Sequence, residues 1–193
     1  IDDTYLHLSF DDGFRNNVEN AAPILCELEI PAVFFVTTDY MSSGWEGARE
    51  FARRSGRDGV VEMATWEQLR QLDARGFEIG AHTCTHRRLA DLHRAEARSE
   101  ILESKRAIED EIDGECRYFS WPFGGRDDIR PEVIELVKSV GFEGCFSGCR
   151  GEVEPGSTDP FRIPRHHIQP HWPVSHVRYF AFRPPAGSVD GFA

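Results

Sequence analysis

The sequence predicts an α/β fold in which parallel strands form a barrel or open sheet, and three observations point there. Short β-branched and aromatic runs alternate with amphipathic helical stretches along most of the chain. The connections between them are short, which makes the helices crossovers and the strands parallel. The residues able to do chemistry fall directly after strand-like runs, where barrels of this type carry their sites.

Taken in order, Tyr5 to Phe10 reads as a strand. Asn16 to Leu28 reads as a helix with Val18, Ala22, Leu25 and Leu28 on one face. Pro31 to Val36 reads as a strand buried on both sides. The polar, Gly- and Arg-rich stretch from Met41 to Gly59 reads as an inserted loop, partly helical. Thr65 N-caps the next helix with Gln68 completing a capping box, and Gly76 stops it. Phe77 to Ala81 is the next strand. Arg94 to Ile112 is a long helix with Ile101, Ile108 and Ile112 on its inner stripe. Arg117 to Trp121 follows as a strand, Pro131 to Val140 as a helix stopped by Gly141, and Phe142 to Phe146 as a strand. A last short strand is expected over Ile163 to Ile168 and a final helix over Pro173 to Phe180.

With 193 residues and 40% hydrophobic content, the chain suits one globular domain. No apolar run approaches the ~20 residues that cross a bilayer. The formal charge of −11 disfavours nucleic acid and anionic membrane surfaces, because phosphates would be repelled before contact. Opening on Ile1 reads as a trimmed N-terminus. The five cysteines, Cys26, Cys84, Cys116, Cys145 and Cys149, read as free, mostly buried thiols. That set favours a cytoplasmic location, with a secreted or envelope-bound one as the alternative.

Asp11 and Asp12 follow the first strand in Ser9-Phe-Asp-Asp-Gly13, and His82 and His86 follow the third in His82-Thr-Cys-Thr-His86. Trp121-Pro-Phe-Gly124 follows the fourth strand, and Arg165-His-His167 lies in the last strand-like run. Two histidines four apart can meet one metal ion if a helical turn joins them. One carboxylate then completes a three-ligand site with room for water and substrate. Adjacent carboxylates at a strand end point in different directions, so one can bind metal while the other takes a proton. Singly, Asp-Asp-Gly also suits a surface turn and H-x-x-x-H a structural pair. Random turns and core histidines have no reason to gather on one rim.

These residues resemble a known family, the polysaccharide deacetylases of carbohydrate esterase family 4, which share the NodB homology domain. Ser9-Phe-Asp-Asp-Gly13 resembles its first motif, T-F-D-D-G, and His82-Thr-Cys-Thr-His86 its second, H-[ST]-x-x-H. The resemblance implies a distorted (β/α) barrel of seven strands, Asp11 as catalytic base, and Asp12, His82 and His86 as ligands of one divalent metal ion, zinc by its donor set. The third motif, usually R-x-P-[YF], is replaced by Phe119-Ser-Trp-Pro-Phe-Gly124, similar to an F-x-[YW]-P-[FY]-G subgroup, and Ser120 stands where the Arg would fall. Arg165 is the preferred cation to orient Asp11, with Arg126 and Arg117 as alternatives. Phe123 is expected to wall the acetyl pocket and lend its N–H to the oxyanion. Strand alternation from Arg165 nominates His167 as general acid, with His166 behind it.

The implied activity is removal of the N-acetyl group from an amino sugar in a polysaccharide or glycan precursor. Two rivals are a non-catalytic carbohydrate-binding member and an amidase acting on a small or cyclic amide.

Overall fold

The computed structural model describes residues 6–169 and 171–182. Its centre is a sheet of five parallel strands in sequential order: β1 (Leu8–Phe10), β2 (Ala32–Val36), β3 (Glu78–Ala81), β4 (Tyr118–Ser120) and β5 (Gly144–Phe146). The expectation of parallel strands joined by helices holds. Where seven strands were expected, the described residues form five and a sixth position reduced to one parallel bridge, Phe146 to Ile163. The strand expected over Ile163 to Ile168 is therefore an irregular segment running beside β5. Its start is tied by Ile163 N–H to the Cys145 carbonyl (2.9 Å) and Ser147 N–H to the Ile163 carbonyl (2.8 Å).

Both faces of the sheet are covered, which is why β2 is apolar at all five positions. On one side Phe34 stacks on Phe10 (4.9 Å between centroids) and meets the edge of Phe77 (5.5 Å). On the other Phe35 packs against Phe146 at 5.1 Å. Gly80, level with Phe35 in the register, makes room for that ring: a Cβ there would lie 2.5 Å from two of its carbons.

The helices are α1 (Ala22–Glu27), α2 (Gly44–Ser55), α3 (Trp66–Asp73), α4 (Arg94–Ile112), α5 (Pro131–Val140) and α6 (Val174–Phe182). A π-helical turn, Asn17–Ala21, leads into α1. The capping box of Thr65 and Gln68 forms as read, and α4 and α5 keep their expected bounds. Packing α3 and α4 against β3 buries Leu69, Leu72, Ile101 and Ile108.

The Met41–Gly59 stretch is partly helical, as read. It contains a full three-turn helix, α2, closed by Gly56 in the left-handed region (φ +70°). Its buried stripe, Ala48, Phe51 and Ala52, is spaced at helical period, with the paired Glu50, Arg53 and Arg54 turned outward. Among the described residues no helix is long and apolar enough to cross a membrane. All five cysteines are free; Cys116 and Cys145 are buried, Cys84 and Cys149 half-buried and Cys26 exposed.

Candidate active site

The ends of β1, β3 and β4 and the segment beside β5 converge on one rim. After β1 the chain turns through Asp12 (φ +75°) and Gly13 (φ +83°), which sinks Asp12 into the protein while Asp11 stays partly open. After β3, Thr83 (φ +66°) and His86 (φ +59°) are also left-handed. Four of the seven left-handed non-glycine residues among those described, Asp12, Thr83, His86 and Phe123, surround this rim, the pattern of backbone strain concentrated at a functional site.

The His82-to-His86 loop is not the helical turn expected from its spacing. It is a bent segment held from several directions. Thr38 and Asp39 donate their N–H groups to the Thr83 and Cys84 carbonyls, and Thr83 Oγ1 accepts from His86 N–H (2.9 Å). The buried Glu100 carboxylate of α4 accepts from Cys84 N–H (3.0 Å), Thr85 N–H (2.9 Å) and the Thr85 hydroxyl. So tied, the loop brings the two imidazoles to 4.9 Å.

Asp12, His82 and His86 offer ligand atoms that all lie within 4.8 Å of one another. Asp12 Oδ1 is 3.4 Å from His82 Nε2 and 3.2 Å from His86 Nε2. The set fits a cation on a second count. His82 Nδ1 is 2.8 Å from the Ser120 carbonyl, which can only accept, so Nδ1 carries the hydrogen and neutral His82 presents its Nε2 lone pair. Burial pushes the His82 imidazole down, but Asp12 and Asp11 outweigh it and raise it, and those same carboxylates would attract a cation. At His86 burial prevails and lowers the imidazole. Despite its own burial, Asp12 is held well below the usual carboxylate range by His82 and His86.

Arg165 completes the other half. Its Nη1 donates to Asp11 Oδ1 (2.7 Å) and its Nη2 to Asp11 Oδ2 (2.8 Å), a two-pronged grip. The guanidinium is itself fixed by Ser120 Oγ (2.8 Å), Ser9 Oγ (3.0 Å) and the Ser147 carbonyl (2.9 Å). Burial would raise the Asp11 carboxyl, but Arg165 and then His82 outweigh it and hold it below the ordinary value.

Phe123 stands at the rim as an exposed residue, its ring tilted against His86 at 5.1 Å and the Arg88 guanidinium 4.3 Å over it. The Gly124 N–H bonds back to the Pro122 carbonyl (2.7 Å), making a γ-turn of the rare left-handed kind centred on Phe123 (φ +64°). Gly124 and Gly148 let the turns after β4 and β5 touch; a Cβ on Gly148 would sit 2.7 Å from the Phe123 carbonyl oxygen.

The expected histidine acid is placed differently. Past Ile163 the segment is no strand, so alternation from Arg165 does not govern it; His167 is exposed and its Nε2 meets the Gln169 amide. His166 packs on Phe180 of α6 (5.5 Å). Of the alternative cations, Arg117 pairs with Glu78 rather than Asp11.

Three residues at the site were not singled out as participants from sequence. Ser120 was noted only as the substitute for an arginine, yet its hydroxyl touches both Asp11 and Arg165. Glu100 has a legible signal, a charge on the buried stripe of a helix between Ala97 and Ser104. Arg57, whose Nη2 donates to Asp12 Oδ2 at 2.6 Å, has none.

A family model described as polysaccharide deacetylase matches residues 2–145. The chain belongs to the polysaccharide deacetylase family. YxkH of Bacillus subtilis (strain 168), which carries a polysaccharide deacetylase name, is 22% identical over 136 residues, 70% of this chain and 42% of that protein. The chain thus spans less than half the length of that relative. Among solved structures, IcaB from Ammonifex degensii superposes with a TM-score of 0.68 at 23% identity, covering 90% of this chain and 71% of that one. The BpsB deacetylase domain from Bordetella bronchiseptica gives 0.66 at 20% identity, covering 82% and 69%. These likenesses establish the barrel-type fold that the family shares.

Proposed function

We propose that this protein is a metal-dependent hydrolase that removes the N-acetyl group from an amino sugar within a polysaccharide. The observation that carries the reading is the Arg165 grip on Asp11 beside the Asp12–His82–His86 cluster. A carboxylate held ionised and fixed in direction next to a cation-binding triad is the equipment for activating water against an amide.

Asp12, His82 and His86 would hold the ion, and two imidazoles with one carboxylate favour zinc. A divalent ion there supplies Lewis acidity toward the acetyl carbonyl and lowers the pKa of water toward ~7. Asp11 accepts the proton that water loses as its oxygen bonds to the carbonyl carbon. Phe123 offers its N–H to the oxygen that gains charge. When the C–N bond breaks, the amine nitrogen needs a proton. Asp11, neutral after the first step and pressed by Arg165 to ionise again, is the group at the centre able to return it. Acetate and a free amino sugar result.

The arginine partner that Asp11 keeps from another segment supports this reading although Ser120 stands at the usual arginine position. That weighs against a non-catalytic binding role. The test is acetate release from N-acetylglucosamine oligomers with zinc added, wild type against Asp11→Asn, with bound zinc measured in both. Release that disappears in the variant while zinc stays bound supports the reading. A zinc-loaded wild type that releases none from any acetylated glycan but opens small or cyclic amides would make the protein an amidase. One that binds no metal would sink the proposal.

A further inference from the structure

The two oxygens of Asp12 face different partners. Oδ1 lies toward His82 Nε2 and His86 Nε2, while Oδ2 receives Arg57 Nη2 at 2.6 Å. Arg57 belongs to the Met41–Gly59 stretch, just past the end of α2. The left-handed Gly56 ends α2, the Arg57 N–H caps the Ala52 carbonyl (3.1 Å), and the side chain turns back into the rim. There its guanidinium lies 4.6 Å over the ring of Phe14. Phe14 meets the edge of Phe51 (5.6 Å), and Phe51 the edge of His86 (5.3 Å). Arg57 is thus braced on a wall that itself supports a candidate ligand.

We infer that Arg57 is a positioning residue for Asp12, holding Oδ2 so that Oδ1 is the oxygen presented beside the two imidazole nitrogens. The inference rests on reading Asp12, His82 and His86 as the metal site. The physical case is rotational. The carboxylate torsion of Asp is broad and roughly two-fold, so an unheld Asp12 could present either oxygen or both. A charge-assisted bond to one oxygen removes that freedom. Partners that orient metal ligands contribute as strongly to metal affinity as a 10- to 100-fold change on removal. Opposing this is repulsion between the guanidinium and a divalent ion. The Arg57 side chain is about half exposed, so water and salt screen that repulsion, whereas the orienting bond is local to buried Asp12. Orientation should win.

The test uses the whole chain with Arg57→Ala, Arg57→Lys and, as a control on the same helix region, Arg53→Ala, whose exposed side chain pairs with Glu50. Zinc affinity is measured by chelator competition, and the visible absorption of the cobalt-substituted protein reports the ligand field. Far-UV circular dichroism checks that each variant folds. We expect zinc to bind about 10- to 100-fold more weakly to Arg57→Ala with an altered cobalt spectrum, partial recovery in Arg57→Lys, and no change in Arg53→Ala. Zinc that binds Arg57→Ala as tightly as wild type, or more tightly, with an unchanged cobalt spectrum would overturn the role and make Arg57 a competitor or a bystander. A wild type that takes up no zinc overturns the metal reading first and this role with it.

Discussion

Arg165 and Asp11 are 154 residues apart in the chain and 2.7 Å apart in the structure. The pair explains how a chain with serine at the usual arginine position still orients a candidate base. Ser120 does not replace the guanidinium; it lends a hydroxyl to one imported from beside β5.

Removing that guanidinium should cost activity without costing metal. Arg165→Met is expected to lower kcat/KM by roughly 10²-fold or more, the scale of losing a well-oriented general base. Arg165→Lys should recover little, because an ammonium cannot grip both carboxylate oxygens in a plane. The sign of the pH effect follows from the balance at Asp11. With the largest lowering influence gone, burial raises the carboxyl, so the acidic limb of the pH–rate profile moves to higher pH. Steady-state rates across pH with zinc content in parallel check this.

Glu100 should link stability to metal affinity. Glu100→Ala leaves the part-buried Cys84 and Thr85 N–H groups without their acceptor, at no more than the about 1–3 kcal/mol that a fully buried unmet donor costs. Urea denaturation should show the loss, and zinc titration should show weaker binding as the loop carrying His86 loosens. Glu100→Gln, which keeps one acceptor oxygen, should fall between.

Gly148→Ala probes the turn at Phe123. Its new methyl would press on the Phe123 carbonyl and displace the γ-turn. Overpacking of this kind costs about 1–3 kcal/mol. The expected outcome is a larger fall in kcat than in thermal stability, read by kinetics and melting of the same samples.

His167→Ala should keep acetate release within about threefold of wild type, since an exposed side chain away from special features usually matters little. A loss of 10²-fold or more, the size of a general acid's contribution, would restore it to the mechanism.

The thiols give a check independent of activity. Burial pushes the Cys116 thiol up to about 12, so it should resist a thiol reagent near pH 8 while exposed Cys26 reacts at once. By linkage, a thiol raised in the folded state is no burden below its unfolded value of 9.0 and lowers stability as pH rises from there toward about 12. Unfolding measured on either side of that window should show the decline.

Most of this fold is readable from contiguous residues. Strand runs such as Ala32–Val36, the Thr65–Gln68 cap and the Gly141 stop depend on local sterics and period, which the sequence carries by itself. The same holds for Asp11, Asp12, His82 and His86, because residues that follow parallel strands arrive on one rim whatever the loops do. The tertiary structure alone decided who supports them. Whether Arg165 or Arg117 faces Asp11 depends on how the segment after β5 lies against the sheet, and that contact spans most of the chain. Helix α2 carries its period in its own residues, whereas the turn of Arg57 toward Asp12 depends on the wall that Phe14, Phe51 and His86 make together. The place of His167 could not be read by alternation, which is a property of strands, and a single bridge at Ile163 does not make one.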